Sequence, residues 1–312
     1  MQKIGLYCVV LMVWCFILSS CTPEEQELPN FDELWDYTDP QKTEEKFRAL
    51  LPEAKEKGDS YYGQLMTQIA RAEGLQQKYE EAHKTLDTVK TMITDELVVV
   101  KIRYLLERGR VFNSSKMPEK ARPLFSEAME LAEEHGEDFY AIDAVHMMQI
   151  VDPPEKQLEW AEKAIEMAEE SEDKRAKRWL GPLYNNTGWS YFDLKQFDKA
   201  LELFDKSLEW REEKEDEMGI RIAKWCIART YRELGRIDEA FEIQRALEKE
   251  IKEKGVDADG YVFEELGELL LIKGDKSVAK PYFKKAYDLL SKDPWLSKNE
   301  PDRIKRLKEL GE

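Results

Sequence analysis

One set of small and aromatic residues recurs down the chain with nearly constant internal spacing. Gly188, Tyr191, Phe197, Ala200, Phe204 and Ser207 form its clearest copy, and the same offsets give Gly109, Phe112, Pro118, Ala121, Phe125 and Ala128. They recur as Ala228, Tyr231, Ile237, Ala240, Gln244 and Leu247, and as Gly267, Leu270, Lys276, Ala279, Phe283 and Ala286, where Lys276 is the poor fit. A fixed repeat constrains the fold more than any single motif. Each unit packs mainly on its neighbours, so chain length no longer counts domains.

The offsets have a physical reading. A first helix places a small residue (Gly109, Gly188, Ala228, Gly267) where a second helix crosses closely, and a bulkier one three positions later on the same face. A turn follows, marked by Gly235 and Gly274 in two units. The second helix then runs alanine, large residue, small residue at spacings of four and three. Pro123 and Pro281 fall in the first turn or so of that helix, where amides have no intrahelical acceptor to lose. Ala, Leu, Glu and Lys dominate, Gly and Pro number only 15 and 12, and alternating strand patterns are missing. Asp259-Gly260, the one hairpin-like dipeptide, has no strand-like run before it and reads as a turn between helices.

Charged residues make up 36% of the 312, and the formal charge is −17. No Lys/Arg-rich run offers the basic face that displaces counterions from nucleic acid, so nucleic acid is excluded as a partner.

The first twenty residues read as an address. Lys3 precedes an apolar run from Ile4 to Leu18, too short for a typical spanning helix and suited to a signal-peptide core. Leu18-Ser19-Ser20-Cys21 resembles the bacterial lipobox, which implies cleavage before Cys21 and lipidation of its thiol. An uncleaved anchor is the alternative. By the same resemblance, Thr22 rather than aspartate after the lipid cysteine favours the outer membrane over the inner, within the cell envelope. Of Cys8, Cys15, Cys21 and Cys226, only Cys226 would remain free, so no internal disulfide is expected; its apolar stripe beside Trp225 and Ile227 reads as buried. Residues 1–20 are thus expected to be signal peptide, 21–39 an acidic flexible tether with Pro23, Pro29 and Glu24-Glu25-Gln26-Glu27, and 40–312 the repeat domain.

The stretch Leu183-Tyr184-Asn185-Asn186-Thr187-Gly188-Trp189-Ser190-Tyr191 with Phe197, Ala200 and Phe204 resembles the tetratricopeptide repeat. Units near 102–135, 220–254 and 260–291 share the pattern, the one near 63–93 (Ala70, Tyr79, Ala82, Leu86) shares it less closely, and the one near 138–171 is degenerate around Pro153-Pro154. The resemblance implies an all-α, right-handed superhelix of about six units. A helix near 41–57 would cap the front, and Ile304, Leu307 and Leu310 would lie on a capping helix at the back.

The resemblance also implies a concave surface lined by first helices. The position after each small residue holds Arg71, Arg110, His146, Trp189, Arg229 and Glu268; four residues earlier lie Thr67, Leu106, Ile142, Asn185, Trp225 and Glu264, with Arg103 and Arg232 extending the stripe. The candidate partner-binding groove therefore comprises Arg71, Arg103, Arg110, His146, Asn185, Trp189, Trp225, Arg229 and Arg232. Arginine forks suit carboxylates, asparagine suits extended peptide backbone, and tryptophan supplies an apolar anchor. Against this stand ion pairing of the arginines with acids such as Glu107 or Glu233, and core packing of the tryptophans.

Catalytic and cofactor motifs are missing. His83, His135 and His146 fall in no zinc spacing, and there is no EF-hand, phosphate loop or nucleophile elbow, so no metal and no cofactor is expected. Asp143 and His146 lie three apart on one helix; a groove hydrogen bond is the plain reading and a catalytic or metal pair the sharp one. The leading expectation is a lipid-anchored scaffold, not an enzyme, that binds a protein or peptide of the cell envelope bearing acidic groups. A small-ligand or glycan receptor is the alternative, and an enzyme centred on Asp143 and His146 a third reading.

Overall fold

The computed structural model describes residues 29–31, 33–255 and 257–312, so the signal-peptide and lipobox residues lie outside it. The chain is all-α, and the described residues form seventeen helices and no strand. Six consecutive hairpins form the body: α3 (Asp59–Leu75) with α4 (Tyr79–Met92), α5 (Val98–Ser114) with α6 (Pro118–Glu134), α7 (Asp138–Val151) with α8 (Pro154–Glu170), α10 (Leu180–Asp193) with α11 (Phe197–Glu213), α12 (Glu217–Glu233) with α13 (Ile237–Lys254), and α14 (Gly260–Ile272) with α15 (Lys276–Leu290). The front cap is two short helices, α1 (Pro40–Ala49) and α2 (Leu51–Glu56). α16 (Pro294–Asn299) and α17 (Pro301–Gly311) close the back, where Leu307 is buried and Ile304 and Leu310 pack beside it. A four-residue helix, α9 (Lys174–Lys177), is inserted after the third hairpin and touches both α7 and α8. Among the described residues, no helix is long and apolar enough to cross a membrane.

The repeat is a volume rule. A Cβ on Gly188 would come within 2.6 Å of the Phe204 ring and one on Gly267 within 2.9 Å of Phe283; Gly109 meets Phe125 in the same way. Where the first helix carries alanine instead, the second helix carries a residue other than phenylalanine: Ala70 is matched by Leu86 and Ala228 by Gln244. All ten of these residues are buried. Interiors packed to crystal density tolerate the pair's summed volume, not either member alone.

The hairpin turns share one device. Gln77, Lys116, Lys195, Gly235 and Gly274 all adopt left-handed backbone, with φ of 62°, 65°, 58°, 76° and 87°. The next amide bonds back to a carbonyl five residues earlier, that of Glu73, Phe112, Tyr191, Tyr231 or Leu270. Glycine marks only two of these turns; the other three hold a side chain where L-residues cost about 1–2 kcal/mol. The third hairpin lacks the device. Asp152 is extended, and Pro153 leads straight into α8. Asp152 accepts from Arg122 Nε at 2.5 Å and Trp160 Nε1 at 2.9 Å, tying α6 and α8 to the altered turn. Asp259-Gly260 is indeed no hairpin: Asp259 caps α14 through the Tyr261 amide, and Gly260 presses on Leu290.

Within the stretch expected as tether, the aromatic side chains of Phe31 and Trp35 find partners on the first helices. Phe31 is buried against Tyr61, whose hydroxyl donates to the Pro29 carbonyl at 2.9 Å. Trp35 packs edge-on against Phe47 and donates to Gln68 Oε1 at 2.9 Å. Asp39 then caps α1 through the Lys42 amide.

Candidate interaction face

The first helices α3, α5, α7, α10, α12 and α14 form one layer and their partners the other. The N-terminal segment folds back onto the first-helix layer, and cavities of about 170 and 270 Å³ open between its helices at the front of the array.

The expected arginines lie on this layer but are not free. Arg110 bonds Glu107 at 2.5 Å and both oxygens of Asp143 at 2.5 Å. Arg71 faces Glu107 at 3.6 Å and stacks over Trp35 and Tyr37 at 5.5 and 5.6 Å. Arg103 is buried, donates to the Tyr140 hydroxyl at 2.8 Å and lies over Phe31 and Tyr140. Arg232 bonds Glu265 at 2.5 Å; Arg229 pairs with Glu233 and lies 3.7 Å from Glu265. Arg71, Arg110, Arg229 and Arg232 thus pair with acids of their own or the neighbouring first helix.

The pairing follows the repeat phase. An arginine one position after the small residue meets an acid two positions before the small residue of the next first helix: Arg71 with Glu107, Arg110 with Asp143, Arg229 with Glu265. Glu268, one position after Gly267, continues the ladder to Arg306 of α17. In the middle the same register falls on His146 with Asn186 and on Trp189 with Cys226. Those rungs carry no formal charge.

The two charged ends differ electrostatically. Burial pushes Asp143 upward, but the Arg110 and Arg71 guanidiniums more than offset it and hold the carboxyl below its ordinary value. Arg110 is raised: burial opposes its charge, and Asp143 and Glu107 outweigh that opposition. At Glu265 burial wins over Arg232 and Arg229, and its pKa is raised.

The middle is aromatic. Trp189 and Trp225 are half-buried, with ring centroids 5.8 Å apart. Trp189 also packs on Phe204, and Trp225 donates to the Tyr261 carbonyl at 3.2 Å, so each is part core and part surface. Asn185 is half-buried; its amide donates to Asn186 Oδ1 at 3.2 Å, and its oxygen faces the Cys226 thiol at 3.7 Å. Cys226 is buried, which pushes its thiol up to about 12. His146 lies 5.3 Å from the Trp179 ring, and burial lowers its pKa, so it is neutral at pH 7. Asp143 is held by Arg110, and among the described residues no cluster of His, Cys, Asp or Glu could hold a metal ion.

Sequence reasoning missed Met218, Ile222 and Ile150, which are 67%, 39% and 48% exposed. Met218, Ile222, Trp225 and Arg229 are spaced by four, three and four along α12, and Ile150 follows His146 by four on α7. That spacing was the available signal. It also missed Arg178, an exposed residue between α9 and α10 with no ion pair among the described residues.

The tetratricopeptide-repeat profile matches residues 181–213, which are α10 and α11. No curated protein sequence matches the chain. Among solved structures, the apo form of RapI is similar with a TM-score of 0.65 at 16% identity, covering 90% of this chain and 84% of that one. A signal-transduction ATPase with a tetratricopeptide-repeat sensor from Pyrococcus horikoshii gives 0.65 at 16% identity; it covers 86% of this chain, which spans only 41% of that protein. The apo quorum sensor NprR from B. thuringiensis gives 0.50 at 16% identity, covering 88% and 83%. At such identities the likeness is one of fold. Residues 181–213 thus match a tetratricopeptide repeat, and the six helical hairpins share the fold of tetratricopeptide-repeat proteins.

Proposed function

We propose that this chain is a lipid-anchored scaffold whose first-helix face binds an extended segment of a cell-envelope protein. The fold is typical of protein-interaction scaffolds and adaptors. The observation that carries the reading is the interruption of the charge ladder: the stretch from His146 through Asn185, Trp189 and Trp225 is uncharged and half-exposed, and Ile150, Met218 and Ile222 border it. Aromatic anchors beside amide groups suit an extended segment with apolar side chains. The charged rungs on either side hold helices together, so the acidic-partner expectation gives way to an apolar one in the middle. Leu18-Ser19-Ser20-Cys21 supports anchoring through Cys21, in the outer membrane rather than the inner.

Photo-crosslinking tests this. The full chain, expressed with a benzoylphenylalanine at Asn185 or Ile222, should yield a discrete adduct in intact cells. The same probe at Lys199 or Glu166, on second helices, should not. Equal adducts from both layers, or none from the first, would refute the reading. The receptor alternative has one observation on its side, the cavity at the front of the array.

A further inference from the structure

That cavity, of about 270 Å³, abuts the uncharged middle at one end, where its lining residue Trp179 lies 5.3 Å from His146. One wall is Trp35 and Tyr37 of the N-terminal segment, which stack in parallel with centroids 4.9 Å apart. Phe139 of α7 and Trp179 at the start of α10, 6.4 Å apart and tilted, also line it. Tyr37 remains 60% exposed, so its ring is accessible to a ligand. The site needs all three elements: the folded-back segment, the first-helix layer beneath it, and the corner made by the α9 insertion.

The charge is as distinctive as the rings. The two carboxylates on the floor, Glu107 and Asp143, are both bonded by Arg110, and Arg71 also faces Glu107. Arg178 lines the same cavity, is exposed, and has no ion pair among the described residues. Of the other arginines lining it, Arg71 faces Glu107 and Arg103 donates to the Tyr140 hydroxyl, which leaves Arg178 as the lining guanidinium with no ion pair among the described residues, in a chain of net −17. A guanidinium beside apolar ring faces is a strong carboxylate site, because it is planar and weakly hydrated. A helix, about 10 Å across, is too wide for the space, whereas one residue-sized ring fits.

We propose that this cavity binds an aromatic carboxylate, with the ring held among Tyr37, Phe139 and Trp179 and the carboxylate on Arg178. The ligand is either a free aromatic acid or the C-terminal aromatic residue of a peptide. The inference rests on the first-helix face being a binding surface, and it adds a subsite that neither Trp189 nor Trp225 lines.

The test uses the full chain in detergent, titrated with N-acetylphenylalanine, with N-acetylphenylalanine amide, and with a short peptide ending in phenylalanine. Tryptophan fluorescence reports on Trp35 and Trp179, and calorimetry gives the affinity. The acid should bind saturably and the amide at least about tenfold more weakly. Arg178→Gln should weaken the acid about tenfold with the melting temperature unchanged, and Tyr37→Ala should weaken acid and amide alike. Tighter binding of the peptide than of the free acid assigns a peptide end, and the reverse a free acid; both support the site. No saturable binding of either carboxylate, equal binding of acid and amide, or an Arg178→Gln affinity equal to that of the native chain overturns it. Failure here with intact adducts at Asn185 removes this subsite alone; probe binding without those adducts removes the groove reading alone.

Discussion

The front of the array and its middle use the same repeat phase for opposite ends. At the front, the position after the small residue holds Arg71 and Arg110, and the next helix answers with Glu107 and Asp143. In the middle, it holds His146 and Trp189, and the answering positions are Asn186 and Cys226. Packing demands only that the small residue be small; the next position is free to be an ion-pair rung or an exposed aromatic. A repeat register therefore locates candidate binding residues without deciding which of them are structural. The partners on the following helix decide that.

The comparison is broken most forcefully at a rung. Arg110→Met strands the buried Glu107 and Asp143, and should cost about 3–5 kcal/mol in denaturant unfolding, whereas Asn185→Ala in the middle should cost under about 1 kcal/mol. Equal losses would mean that the rungs carry no special share of the stability.

Next in size is the volume rule. Gly188→Ala should destabilise by about 1–3 kcal/mol by overpacking against Phe204, and Phe204→Leu in the same chain should recover part of the loss. Strict additivity of the two would contradict the pairing of small and large positions. Gln244 stands where phenylalanine stands in three other units, is fully buried, and neither of its amide atoms has a partner. Gln244→Leu should therefore stabilise by about 1–2 kcal/mol.

Acid titration sharpens the contrast between the two charged ends. The lowered pKa of Asp143 contributes stability above its unfolded value, near pH 4, and that contribution is lost as pH falls through the folded value. Glu265 has the opposite sign: its raised pKa contributes stability below the unfolded value, lost as pH rises through the folded one. Hydrogen exchange on acidification below pH 4 should thus open α5 and α7 before α12 and α14. The smallest effect is expected at a turn. Lys195→Gly should stabilise by about 0.5–1 kcal/mol by relieving left-handed backbone, while Gly235→Lys costs a similar amount.

Fold was legible because its signal is local: comb spacing and helix period set the six hairpins, and Gly260 sits at a helix start, whereas Pro123 and Pro281 fall inside α6 and α15, past the first turn where they were expected. The face was half legible. Phase placed Arg110 and Trp225 on the right layer, but pairing with Asp143, 33 residues on, is a contact between units and leaves no mark within one unit. The contacts of Phe31 and Trp35 were not legible because acidic, proline-bearing composition resembles a tether, while their partners Tyr61 and Phe47 lie on helices that composition does not place beside them. Arg178 was missed because it lies on the insertion, outside the repeat register.

The central claim is that the ladder arginines are structural and that the uncharged middle does the binding. The salt dependence of affinity, measured on the full chain with the segment crosslinked at Asn185, tests it most directly. Binding through Trp189, Trp225 and their neighbours should change by less than about threefold between low and high salt, because little exposed charge is there to be screened. A fall of about a hundredfold over the same range would show that the arginines read the partner after all.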